Sequence, residues 1–92
     1  MSAHTDDPTL AELRAGIEAA DRALLDAFVQ RVEVARAVRH HKEEQGYTFI
    51  DAGRERELLA LWLAAAAGAV PDETVEELFA SVLALSKREA SR

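Results

Sequence analysis

The 92-residue sequence predicts an all-α fold of three helices, of which the first is very long. Apolar residues recur at spacings of three and four from Leu10 onward, which is the period of one α-helix face. The stretch 13–42 contains no proline and a single glycine, so nothing in it breaks a helix. Gly46 and the stretch 68–71, which contains a glycine and a proline, then mark off two further helical segments, and no segment is predicted to be a strand.

The first helix is predicted to run from about Thr9 to Glu44 or Gln45. Thr9 and Glu12 have the spacing of a capping box, and Gly46 is a natural C-cap. At roughly 36 residues this helix would be over about 50 Å long. A chain this short cannot cover so long an apolar stripe alone, so we expect two copies to associate.

Two shorter helices follow the first. Asp51 is well placed as the N-cap of the second helix, which should run to about Ala67. The third should run from Thr74 to about Ala90, preceded by two acidic residues that suit a helix start. Its apolar positions leave Ser86 near its inner face. The expected core and inner positions are Trp62, Val75, Leu78, Phe79, Val82, Leu83 and Leu85.

The apolar stripe of the first helix contains two cations, Arg31 and Lys42. Burying unpaired charge costs several kcal/mol, so both should meet an anion there. Arg14 lies 17 residues before Arg31, which is about 25 Å along a helix and roughly 100° around it. A small ligand held by Arg31 therefore cannot reach Arg14 of the same helix. If Arg14 joins the site, it comes from a second copy of the chain.

Charged residues on the first two helices are the candidates for a site. Taken singly, Asp51 can be a helix cap, and the others can be solvated charges or salt bridges. Together, several cations with one or two carboxylates in an apolar bundle suit a small polyanion that carries a hydroxyl. The candidates are Arg14, Arg31, Lys42, Asp51, Arg54 and Glu55.

Composition argues against several other classes. The net charge of -6 and the lack of a basic run make nucleic acid or an anionic membrane surface a poor partner. There is no long apolar run, no leader and no cysteine, so we expect a cytoplasmic protein without disulfides. Adjacent His40 and His41 point about 100° apart, so no metal site is predicted. Residues 1–8 should form a flexible tail before a helical domain at 9–92.

The chain resembles the all-helical class of chorismate mutases, the type II family. The pattern L-R-x-x-I-(E/D)-x-x-D-x-x-L-L lies at 13–25, Arg31 and Lys42 follow, and D-x-x-R-E lies at 51–55. The resemblance covers about residues 10–89. It implies an intertwined homodimer in which the long first helices pair and two active sites are shared between chains. It also implies an isomerase that converts chorismate to prephenate for phenylalanine and tyrosine biosynthesis, without a cofactor.

The same resemblance implies specific roles. Arg14 from the partner chain and Arg31 would bind the substrate carboxylates, with support from Arg54. Lys42 would sit against the ether oxygen. The ring hydroxyl would be held by Glu55 and the backbone at Asp51, and Ser86 would contact a carboxylate.

Ala90 departs from the family pattern, because a Gln or Glu that helps to hold the ether oxygen usually occupies this position. Glu89 is adjacent but turned about 100° away. Two interpretations follow. Either turnover is weak and awaits an activating protein partner, or the substrate differs, as in relatives that act on 4-amino-4-deoxychorismate or remove pyruvate from isochorismate. A non-catalytic helical dimerisation module is the competing class, and it predicts that Arg31 and Lys42 are exposed or bridged to side chains.

Overall fold

The computed structural model describes residues 7–92, which contain three helices and no strand. Helix α1 spans Pro8–Gln45, α2 spans Ala52–Ala66 and α3 spans Asp72–Ala90. The predicted all-α class and the very long first helix, of 38 residues, are therefore confirmed. Residues 1–6 of the predicted tail lie outside the described residues. None of the helices described here has the length and apolar character needed to cross a membrane.

The start of α1 differs from the prediction, because Asp7 and not Thr9 is the cap. Asp7 Oδ1 accepts hydrogen bonds from the backbone N–H of Thr9 at 2.9 Å and of Leu10 at 3.1 Å. Pro8 explains the shift: proline suits the first position of a helix, since its φ is preset and it has no N–H to satisfy. The helix therefore begins before Thr9, and the predicted capping box is wrong.

The other end of α1 agrees with the prediction. Gly46 adopts a left-handed φ of 72°. The N–H of Gly46 donates to the carbonyl of Glu43 at 3.3 Å, and the N–H of Tyr47 donates to that of Lys42 at 2.9 Å. This pair of bonds is a Schellman motif, which satisfies carbonyls at the helix end and turns the chain toward α2.

The chain divides into two compact units, with the boundary between Gln30 and Arg31. The first unit is helical from Pro8 onward, and its described part contains no buried residue. Its apolar side chains remain open to solvent: Leu13 is 64% exposed, Ile17 63% and Leu24 61%. This part of α1 therefore has an apolar face that nothing in its own unit covers.

The second unit, Arg31–Arg92, contains the core. Helices α2 and α3 pack together, and the rings of Trp62 and Phe79 meet edge to face with centroids 5.2 Å apart. Phe79 and Val75 are buried on α3, as predicted, and Val32 is buried on α1. The predicted inner positions Leu78 and Leu85 of α3 are instead exposed, as are Leu61 and Val70.

The connection between α2 and α3 explains two small shifts in the helix boundaries. Ala67 closes α2 in the left-handed conformation at φ 49°, so the helix ends one residue before the predicted Ala67. Helix α3 starts at Asp72 instead of Thr74. The N–H groups of Thr74 and Val75 donate to the carbonyl of Pro71, so the first turn closes directly on this proline.

Candidate functional site

A cavity of about 600 Å³ lies in the second unit, between the end of α1, the connection to α2, the start of α2 and the end of α3. Its walls are largely apolar and its polar groups are mostly cationic. The apolar lining is Val34, Ala35, Val38, Phe49, Ile50, Leu58, Leu83 and Ala90. The polar lining is Arg31, Arg39, Lys42, Asp51, Arg54, Glu55, Ser86 and Lys87.

Most of the predicted site residues come together at this cavity. Those that line it are Arg31, Lys42, Asp51, Arg54, Glu55 and Ser86. Arg14 belongs to the first unit, where it is exposed on its helix, and is not part of the lining. Because these six side chains line the same cavity, they can contact one ligand together. The role assigned to each of them stays a prediction.

Three cations reach the cavity from α1. Arg31 and Lys42 are half-buried, and Lys42 Nζ lies 3.5 Å from the carbonyl oxygen of Phe49. The guanidinium of Arg39 lies 4.4 Å from the centre of the Phe49 ring, a cation–π contact. These two contacts hold the connection between α1 and α2 against the cationic side of α1.

The N-terminus of α2 supplies the acidic side of the site. Asp51 is the N-cap, as predicted: its backbone is extended, and its Oδ1 accepts from the N–H of Arg54 at 3.0 Å. The Arg54 guanidinium pairs with Glu57 at 3.2 Å on the exposed side of the helix. Glu55 lies in the first turn, where a negative charge is favoured by the helix dipole.

Helix α3 contributes Ser86 and Ala90, both buried. Ser86 is 1% exposed, and its hydroxyl donates to the Val82 carbonyl at 2.6 Å. This bond to the preceding turn is common for serine inside helices, so the hydroxyl must rotate before it can donate to a ligand. Ala90 lines the cavity, whereas Glu89 does not. Glu89 Oε2 instead pairs with Arg88 and Arg92, each at 3.1 Å.

Sequence reasoning missed two cations of the cavity, Arg39 and Lys87. Arg39 lies four residues after Ala35 and three before Lys42, a spacing that could have placed it on the same face. Lys87 lies four residues after Leu83, which also lines the cavity. A lysine in the last turn of a helix is ordinarily explained by the helix dipole, so its sequence signal is weak.

The balance of charge at the cavity is opposite to that of the whole chain. Five cationic side chains face two carboxylates, although the chain has a net charge of -6. Both carboxylates are partly engaged, Asp51 by the N–H of Arg54 and Glu55 by Lys87. A concave, largely apolar site with converging cations suits a small organic anion.

Neither histidine of the adjacent pair contributes to this site. His40 Nε2 lies 2.9 Å from Glu44 Oε1, and the ring of His41 meets Tyr47 edge-on with centroids 6.3 Å apart. Within residues 7–92 no three side chains of the metal-ligating types form a cluster.

A family model described as chorismate mutase type II matches residues 13–91, which includes every residue of the cavity. No significant match was found among curated proteins or among solved structures.

Proposed function

Because the chain belongs to the chorismate mutase type II family, we propose that it rearranges chorismate to prephenate, a step of phenylalanine and tyrosine biosynthesis. The observation that carries this proposal is the cavity itself. Arg31, Lys42 and Glu55, which come from different places in the sequence, line one apolar-walled space of about 600 Å³. A dicarboxylate with a ring hydroxyl has the charge and polarity that this space accommodates.

The proposed chemistry is an intramolecular Claisen rearrangement, in which the ether C–O bond breaks as a new C–C bond forms within one molecule. No proton transfer is required. The site would hold the reactive chair through the carboxylates, with Arg31 as one contact. Lys42 would stabilise the partial negative charge that develops on the ether oxygen. The carboxylate of Glu55 would accept a hydrogen bond from the ring hydroxyl. Ser86 and the backbone at Asp51 would complete the contacts.

The direct test is an assay with the purified protein. Loss of chorismate absorbance should be followed, and the product should be identified as prephenate. The same protein should be incubated with 4-amino-4-deoxychorismate and with isochorismate. Release of pyruvate from isochorismate, or rearrangement of the amino compound in preference to chorismate, would replace the proposed substrate. If turnover of chorismate is slow, an activating protein partner becomes the next hypothesis to test.

The surroundings of Arg31 and Lys42 favour an enzyme over a dimerisation module. A module requires these cations to be exposed or bridged to side chains, but both are half-buried at the cavity. Within residues 7–92, neither forms a salt bridge; the pairs that do form involve other cations. Cations that are partly desolvated and have no carboxylate partner among the described residues are suited to an anionic ligand.

We further propose that the protein is an obligate homodimer built on α1. The support is the uncovered apolar face of this helix, including Leu13, Ile17 and Leu24. Sedimentation velocity should therefore find a dimer at micromolar concentration, with no folded monomer. A monomer that retains full helicity by circular dichroism at that concentration would contradict the proposal.

Ala90 provides a prediction about the rate. Replacing it with glutamine should raise kcat, because the amide would add a second hydrogen-bond donor beside Lys42 at the ether oxygen. Ala90→Met is the matched control, since it adds similar bulk without a donor. The comparison is the kcat of both variants with chorismate. Equal kcat values for the two would show that a missing donor does not limit this enzyme.

A further inference from the structure

One ion pair of the cavity joins two helices. Lys87 Nζ of α3 lies 2.5 Å from Oε1 of Glu55 in the first turn of α2. Both side chains line the cavity, and they are 51% and 33% exposed respectively. Every other salt bridge between residues 7–92 connects residues no more than four apart on one helix or at its end. The Lys87–Glu55 pair is therefore distinct in both span and location.

We propose that Lys87 is a specificity-determining residue. It compensates the charge of Glu55, so that the site accepts a neutral hydroxyl in preference to an ammonium at the ring position that Glu55 contacts. This inference rests on the proposed function, because it assigns Glu55 to that ring substituent. It adds a role for a residue that neither the sequence patterns nor the proposed mechanism uses.

The physical reason is the different response of a hydroxyl and an ammonium to a nearby lysine. A hydroxyl donates one hydrogen bond to a carboxylate oxygen, and the recorded hydrogen bonds of the Glu55 side chain, within residues 7–92, involve Oε1 only. Oε2 can therefore accept from the hydroxyl while Lys87 stays in place. An ammonium gains attraction from Glu55 but is repelled by Lys87 a few ångströms away, so its net gain is small.

The other cations of the cavity add to the same preference. Lys42 and Arg39 line the same space as Lys87. The other carboxylate of the lining besides Glu55 is Asp51, whose Oδ1 already caps α2. An ammonium would thus enter a region with more positive than negative charge. Removing Lys87 takes away one positive charge beside the ring substituent that Glu55 is proposed to contact.

A purely structural role for this pair predicts a different outcome. Partly exposed ion pairs contribute little to stability, so losing the pair should leave the fold intact. If the pair only held α2 against α3, its removal would affect both substrates equally. Specificity, expressed as the ratio of kcat/KM for two substrates, therefore separates the two roles.

The experiment compares chorismate with 4-amino-4-deoxychorismate. The wild-type protein should prefer chorismate, and Lys87→Met should lower the ratio of the two kcat/KM values by about fivefold. Lys87→Gln serves as a second neutral variant in case methionine disturbs folding. Lys87→Arg keeps the charge and should retain most of the preference. Arg88→Met removes the neighbouring cation, which pairs with Glu89 outside the cavity, and should leave the ratio unchanged.

Binding measured by calorimetry provides a second readout that does not depend on turnover. The ratio of the two dissociation constants should shift in the same direction in Lys87→Met. Glu55→Gln alone should move the ratio toward chorismate, because it removes the carboxylate that attracts an ammonium while Lys87 still repels it. An unchanged ratio in both neutral variants, with unfolding temperature retained, would overturn the role of Lys87.

The outcomes also separate this inference from the proposed function. A wild-type protein that rearranges chorismate but shows no dependence of the ratio on Lys87 contradicts only the present inference. A wild-type preference for the amino compound contradicts this inference and also replaces chorismate as the proposed substrate. A protein that neither binds nor converts chorismate overturns the proposed function, and the role of Lys87 falls with it.

Discussion

Replacing Lys42 with alanine should lower kcat by about 10²–10³-fold, the loss typical of removing one preorganised donor at a developing oxyanion. The ammonium would stabilise the charge on the ether oxygen more strongly in the transition state than in the bound substrate, so kcat and kcat/KM should fall together. The loss should lie at the upper end of that range, because the methyl group of Ala90 lines the cavity where a second donor would otherwise be.

Steady-state kinetics with chorismate measures this effect, and Arg56→Ala is the matched control. Arg56 is an exposed cation of α2 that does not line the cavity. Its replacement by alanine removes one positive charge, as Lys42→Ala does, and should leave kcat unchanged. Lys42 also contacts the Phe49 carbonyl, so thermal unfolding should be recorded beside activity. A folded Lys42→Ala variant with near-normal kcat would require the electrostatic role of this lysine to be abandoned.

Mixing an Arg14→Ala variant with an Arg31→Ala variant should restore activity that each has lost. A charged hydrogen bond to a carboxylate contributes roughly 1.5–3 kcal/mol, so each single variant should lose about 10–100-fold in kcat/KM. In a mixed dimer with shared sites, one site carries both substitutions and the other carries neither. Random exchange of subunits should therefore recover up to about a quarter of wild-type activity.

The matched control is a mixture of Arg31→Ala with Lys42→Ala. Both residues line the cavity of one chain, so every site of that mixed dimer keeps one lesion and no recovery is expected. Exchange should be verified with two differently tagged subunits. Mixed dimers of the Arg14 and Arg31 variants that gain no activity over their parents would contradict a shared site.

Local signals were sufficient for the three helices and, together with the family resemblance, for six of the eight polar residues that line the cavity. The spacing of apolar residues and the glycines at Gly46 and Gly68 locate the three helices to within about two residues, because these signals act within a few turns. Where local signals compete, sequence reasoning failed: Asp7 followed by Pro8 outweighed the Thr9 capping box. Arg31 and Lys42 were found because a cation in an apolar stripe is anomalous on its own.

The sequence by itself determined the all-α class, the length of α1, the cap at Asp51 and the outward turn of Glu89 relative to Ala90, since each depends on the geometry of a single helix. Only the tertiary structure decided which of many surface charges share a space. Lys87 and Glu55 are separated by 32 residues and lie on different helices, so no periodicity relates them. Arg39 was likewise distinguished from its cationic neighbours by its contact with Phe49. Pairing across helices depends on how α2 and α3 pack, and that packing brings the two side chains within hydrogen-bonding distance.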